Sequence, residues 1–176
     1  MKYFIIIICI LSANIVTSSN SIQGAFGFNI GTKLNKSKII KRIALKSGDV
    51  TYKVKPIKRI KSISEYYLKT TPSSNLIYRI WGYSKYSNYN DCLKDLSHFD
   101  SILTKKYGSP YKKTYTFSTE SSYATKATPN RSISVSCENK FTYADFFITY
   151  LDFDLLDKSK KEFIELKNKK IDKSAL

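Results

Sequence analysis

An α+β domain built on an antiparallel sheet is the fold class this sequence predicts, on three observations. Several short stretches alternate apolar and polar residues, the period of a half-buried strand. One longer stretch repeats its apolar residues at helical spacing. Read coarsely, the order of elements is helix, three strands, helix, three strands and a charged C-terminal helix, so a helix–three-strand pattern recurs. That recurrence suggests an internal duplication of topology, although no residues match between the halves.

The N-terminus lies outside that domain. Met1-Lys2 is a short positive segment, and the apolar run from Tyr3 to Leu11 is extended by Ala13, Ile15 and Val16. A bilayer-spanning helix needs roughly 20 apolar residues, and Ser12 and Asn14 interrupt this run too early. Its length and the small residues Thr17, Ser18 and Ser19 fit a cleavable secretory signal peptide over 1–19, with cleavage between 18 and 25. What remains, 20–176, is expected to form a single α+β domain. No later run approaches membrane-spanning length, so no transmembrane segment is expected in the mature chain.

The elements follow in order. The stretch 25–30, Ala-Phe-Gly-Phe-Asn-Ile, reads as a short strand or loop. Asn35 is a good N-cap, with Leu34 and Ile39 placed as a hydrophobic staple. Ile39, Ile40, Ile43 and Ala44 then predict a narrow-faced helix ending at Ser47-Gly48-Asp49. Val50, Tyr52 and Val54 mark a strand that Pro56 interrupts, and Tyr66 and Leu68 mark a second before Pro72. The stretch 76–83 is apolar on both faces, which suits a central strand. Cys92, Leu96, Phe99 and Leu103 form the stripe of the clearest helix; Asn88 or Asn90 caps it, and Gly108 and Pro110 stop it.

Tyr115 and Phe117 then mark a strand, and 118–130, rich in Ser, Thr and Ala, reads as a long mobile loop. Ile133, Val135 and Cys137 share one face of the next strand and Ser132, Ser134 and Ser136 the other. In the last strand Phe146, Ile148 and Tyr150 oppose Phe147, Leu151 and Phe153. The final helix is expected from Ser159, opened by a Ser159–Glu162 capping box and docked by Phe163, Leu166 and Ile171.

With Cys9 removed in the signal, Cys92 and Cys137 remain. An even pair in an exported chain reads as one disulfide. Both sit on apolar faces that point into one core, so the bond would staple helix to sheet. A bonded pair can be neither nucleophile nor zinc ligand.

Other chemistry is sparse. His98 is the only histidine and lies off the helical stripe. Asp152 and Asp154 would share a strand face, where paired carboxylates could serve acid–base work or hold a hard cation. The preferred reading is a polar strand end, with Asp154 or Asp157 at the start of the following helix and Asp145 at the other end of the strand. No phosphate-loop, nucleophile-elbow, zinc-protease or EF-hand pattern occurs. No catalytic residue, metal site or cofactor is therefore assigned.

The formal charge is +16. Such a surplus favours anionic partners, but Lys, Ile, Asn and Tyr are enriched together, as in an AT-rich coding sequence. Charge alone is therefore read as composition, and nucleic acid is not the expected partner. Two clusters stand out. Lys158, Lys160, Lys161, Lys167, Lys169, Lys170 and Lys173 are partly neutralised by acids on their own helix. Lys53, Lys55, Lys58, Arg59 and Lys61 have no acidic neighbour until Glu65; with Tyr52, Tyr66 and Tyr67 they form a candidate anionic-ligand patch.

The stretches Gly-Phe-Asn-Ile-Gly (27–31), Leu-Ile-Tyr-Arg-Ile-Trp-Gly (76–82), Leu-Thr-Lys-Lys-Tyr-Gly-Ser-Pro (103–110) and the ending Ile-Asp-Lys-Ser-Ala-Leu resemble small exported bacterial α+β proteins of uncharacterised function. More loosely, the helix-then-strands repeat is similar to outer-membrane assembly lipoproteins of the small-protein-A type and to tandem-repeat β-lactamase-inhibitor proteins. Ile8 precedes Cys9 where a lipobox needs a small residue, a departure from the lipoproteins. These resemblances carry over no catalytic residue. The expectation is an exported, non-enzymatic binding or interaction protein of the bacterial envelope, periplasmic or secreted, whose partner is a protein or an anionic envelope component. The alternative is a secreted hydrolase or toxin-like effector acting on an anionic substrate through Asp152/Asp154 or His98. Inhibition of another protein through an exposed sheet face is a third expectation.

Overall fold

The computed structural model describes residues 21–44, 50–108, 112–115, 120–128 and 130–174; the expected signal segment and Phe117 lie outside them. The described residues open with a small hairpin, β1 (Gly24–Ala25) and β2 (Phe28–Asn29). Four strands follow: β3 (Ile39–Ala44), β4 (Val50–Val54), β5 (Glu65–Thr70) and β6 (Ile77–Tyr86). After helix α1 (Tyr89–Tyr107) come β7 (Lys112–Tyr115), β8 (Glu120–Thr128), β9 (Arg131–Asn139) and β10 (Ala144–Asp152), and then α2 (Phe153–Ser174). Apart from the hairpin, the strands form one sheet in the order β3-β4-β5-β6-β10-β9-β8-β7, antiparallel throughout. The fold is thus α+β with sheet predominant.

The period of two assigns the faces. Ile80, Ile148, Tyr150, Ile133, Val135, Leu68 and Tyr66 point to one side and are buried. Helix α1 covers the β9–β10 half of that side, where its Phe99 ring meets Phe146 at 5.3 Å. Cys92 of α1 is disulfide-bonded to Cys137 of β9, with Cα atoms 5.9 Å apart. Asn88 caps α1 by accepting from the Asp91 backbone N–H, and Gly108 stops it at φ +88°.

The hairpin plugs the middle of the same side. Its two-residue turn, Phe26-Gly27, has both φ values positive, the combination that matches strand twist. A bulky residue rarely tolerates that conformation, and here burial holds it. The Phe26 ring packs edge-on against Tyr66 at 4.9 Å and Tyr150 at 6.0 Å. Gly82 makes room for it: a Cβ there would stand 3.2 Å from the Phe26 ring and 2.8 Å from Ile63. Ile22, just before the hairpin, is fully buried, and its carbonyl accepts from the Arg131 guanidinium at 2.6 Å.

Helix α2 crosses the end of the sheet beneath the β5–β6 turn. Asp152 caps it by accepting from the Leu155 N–H at 2.9 Å, and the Asp152 carboxylate also pairs with Arg131. Glu162 reaches into the turn and accepts from the backbone N–H groups of Ser73 and Ser74 and from the Ser74 hydroxyl at 2.7 Å. No helix among the described residues is long and apolar enough to cross a membrane.

Four expectations are corrected. The helix read after Asn35 is a single 3-10 turn, Lys36–Lys38, followed by edge strand β3; Asn35 does cap the turn. A short, β-branched run gains little as a helix, whereas the free edge of β4 offers it antiparallel backbone pairing. The loop read over 118–130 contains β8, paired along β9. Its composition has no core pattern, and the neighbouring strand supplies the ordering. Helix α2 begins at Phe153, capped by Asp152, so Ser159 is buried inside it and Glu162 binds the turn, not the helix start. Finally, the unit that recurs is four strands then a helix, not a helix then three strands. Because β6 and β10, the last strands of the two units, pair antiparallel at the centre, the two meanders are arranged about an approximate twofold axis.

Candidate functional site

Among the described residues no helix lies over the centre of the other side of the sheet, and its residues form rows across the strands. One row runs Lys41, Lys53, Tyr67, Trp81, Thr149 and Ser134 from β3 to β9. The next runs Glu65, Tyr83, Phe147 and Ser136, and the one beyond it Lys85, Asp145 and Glu138. On the opposite flank Lys69, Arg79, Leu151 and Ser132 align.

The aromatic members pair across strands. Tyr67 and Trp81 stack with centroids 5.2 Å apart and planes 16° apart. Tyr83 and Phe147 lie 5.3 Å apart. Cations sit over the rings: the Arg79 guanidinium carbon is 5.0 Å from the Trp81 centroid, and the Lys85 ammonium is 3.7 Å from that of Tyr143. At the rim, the β9–β10 turn holds a fully exposed Phe141 at φ 64°. The serines of β9 leave the surface beside the aromatic stripe flat.

The acids on this face are already engaged. Glu65 pairs with Lys53 and accepts from the Tyr67 hydroxyl; the bond from Lys53, then that from Tyr67, holds its carboxyl below the ordinary range. Burial and then the bond to Glu65 push the Tyr67 phenol up to about 12. The Tyr83 hydroxyl donates to Asp145 at 2.7 Å, and burial followed by that bond raises its phenol too. Glu138 pairs with Lys140 at 2.9 Å. Lys41, Arg79 and Lys85 have no carboxylate partner among the described residues, so the face has a positive excess.

The five cations read as one patch are distributed over different surfaces. Lys53 lies on the open face, and Lys55, Arg59 and Lys61 are exposed around the β4–β5 connection. Lys58 lines a cleft of about 790 Å³ between the N-terminal hairpin and α1, together with His98 and Lys106. Tyr66 points into the core, its hydroxyl bonded to Ile60; only Tyr67 joins Lys53. Asp152 and Asp154 do not share a face: Asp152 binds Arg131, and Asp154 accepts from Asn130 at 2.5 Å. Among the described residues no three His, Cys, Asp or Glu side chains converge on a metal-sized site.

The residues that dominate the open face, Trp81, Tyr83, Phe147, Tyr143 and Arg79, were not grouped from sequence. The available signal was the odd-numbered positions of β6, where Arg79, Trp81, Tyr83 and Lys85 mix aromatic with cationic side chains. A strand buried on both faces would carry aliphatic residues there. No protein-family model, curated protein or solved structure matches the chain.

Proposed function

We propose that this chain is an exported, non-enzymatic binding protein of the bacterial envelope, and that the open face of the sheet docks a folded protein partner through an acidic surface. The observation that carries the proposal is the uncovered, cation-flanked aromatic stripe centred on Tyr67, Trp81, Tyr83 and Phe147. Trp, Tyr and Arg are the side chains that dominate binding hot spots. Size favours a protein partner. A strand of nine residues extends about 30 Å and five strands span about 24 Å, an area of roughly 700 Å² against roughly 800 Å² per partner in a standard interface.

Export is supported by the apolar N-terminal run and by the Cys92–Cys137 bond, which persists in oxidising compartments. Burial of Ile22 narrows the expected processing site: cleavage within 18–21 leaves the core intact, and cleavage beyond 22 removes a buried side chain. The periplasm or the exterior is the location this reading implies.

The hydrolase alternative draws on His98, Asp152 and Asp154. Both aspartates are engaged structurally, which leaves that reading the weaker one. Fractionation of a native host with intact-mass measurement tests export: a chain starting within 19–22 and lighter by two hydrogens is expected, and an unprocessed cytoplasmic chain with free thiols would refute it. Capture from envelope extract should recover a partner that Trp81→Ala loses; retention of the same partner by that variant would remove the open face from the proposal.

A further inference from the structure

Where the open face meets α2, a cleft of about 510 Å³ opens between the ends of β5, β6 and β10 and the helix. We infer that this cleft binds a small amphipathic anion, a phosphate or carboxylate headgroup on an apolar tail. The cleft shares Arg79 with the proposed docking face but is otherwise distinct from it, because Leu156, Ser159, Lys160, Phe163 and Ile164 of its lining belong to α2.

Its charged end is built from Lys69, Arg79 and Lys160, and among the described residues no lining residue is acidic. Lys69 and Arg79 are directly opposed in register, which places two cationic side chains side by side at this end of the cleft. Arg79 is the centre of the argument. Its Nε is buried and has no hydrogen-bond partner among the described residues, and burial lowers the affinity of its guanidinium for the proton. Trp81 holds one side of it by a cation–π contact, which supplies no acceptor for the Nε–H. A guanidinium fork with an unfilled donor matches the paired oxygens of a phosphate or carboxylate. Lys160 is tied to Asp157 at 2.8 Å, and Asp157 does not line the cleft.

The other end is apolar. Leu151 of β10 and Leu156, Phe163 and Ile164 of α2 wall it, and Ile164 stays largely exposed. An anion without a tail would leave those walls wet, and an alcohol would offer Arg79 a single neutral acceptor with no counter-charge. The volume lies within the usual range for small-ligand sites, about 300–1,000 Å³.

Titration calorimetry of the purified mature chain with octyl phosphate, octanoate, octanol and inorganic phosphate tests this. Octyl phosphate or octanoate should bind, and comparison of the two identifies the headgroup. Each methylene added between hexyl and octyl should raise affinity about fourfold as it enters the cleft. Arg79→Gln should weaken the anion at least about tenfold while changing octanol far less. Lys160→Gln, on an exposed helix position that threatens no fold, should weaken it severalfold. Trp81 is the only tryptophan, so its emission should change with the same saturation curve. The inference is overturned if neither octyl anion binds, if inorganic phosphate binds as tightly as its octyl ester, or if both variants bind like the wild type. Loss of partner capture by Trp81→Ala with octyl-anion binding retained, or the converse, separates this site from the docking face.

Discussion

Breaking the Cys92–Cys137 bond should loosen this domain more than any single surface change. The bond closes a span of 45 residues and joins α1 to the strand beside the sheet centre. In the chain-entropy treatment, opening a loop of that length releases about 4 kcal/mol of denatured-state entropy. For a domain of this size, about 2–4 °C of Tm accompanies each kcal/mol, which predicts a fall of roughly 8–16 °C. Both cysteines are fully buried, so the reduced form should be prepared by unfolding in urea with reductant and refolding under reductant. Calorimetry of the two forms then gives the difference. A reduced protein that melts within about 2 °C of the oxidised one, with both forms two-state, would refute the reasoning. Two titratable thiols in the untreated, denatured protein would refute its premise.

Three further changes follow from particular contacts. Glu162→Gln, which weakens the link between α2 and the β5–β6 turn, should cost about 1–2 kcal/mol in urea unfolding. Burial raises the Glu162 carboxyl, but the bonds from Ser74 and Ser73 outweigh it, and the net shift is below the ordinary 4.5. Its stabilisation is therefore complete above about pH 4.5 and is lost as pH falls through the lower folded value; the variant should show a shallower acid limb. Gly82→Ala should cost about 1–2 kcal/mol by forcing Phe26 and Ile63 apart, measured by chemical denaturation. Phe141→Gly should raise stability by about 0.5–1 kcal/mol by relieving a positive φ, and thermal unfolding in parallel with partner capture would show whether the exposed ring instead serves binding.

The legible parts of this fold were those where one local signal agreed with the long-range contacts. The α1 stripe, its Asn88 cap and its Gly108 stop are all local, and the structure realises them in full. The strands 131–139 and 144–152 alternate because one face is buried, so their side chains report the core directly. β3 and β8 could not be read in that way. Ile39, Ile40 and Ile43 fit a helical stripe as well as a β-branched strand, and only the edge of β4 decides between them. The Ser/Thr/Ala composition of β8 has no apolar period, and its pairing with β9 is a tertiary fact. The start of α2 was hidden because Phe153 and Asp154 continue the alternation of β10, while Asp152 both ends the strand and caps the helix.

The candidate site shows the same division. Cys92 and Cys137 could be paired by counting and by face. The cationic run 53–61 was visible as composition, but the turn that contains it sends Lys58 to one surface and Lys53 to another. The aromatic stripe draws on β5, β6 and β10, residues up to 80 positions apart that only the sheet register brings into rows.

Site-specific photocrosslinking tests the docking face most directly. A photoreactive phenylalanine analogue would replace Tyr67 on the open face in one strain and Ser97 on the exposed side of α1 in another. The account predicts a discrete adduct with one envelope protein from position 67, abolished by Trp81→Ala, and none from position 97. Adducts of equal yield from both positions, or from position 97 alone, would contradict it.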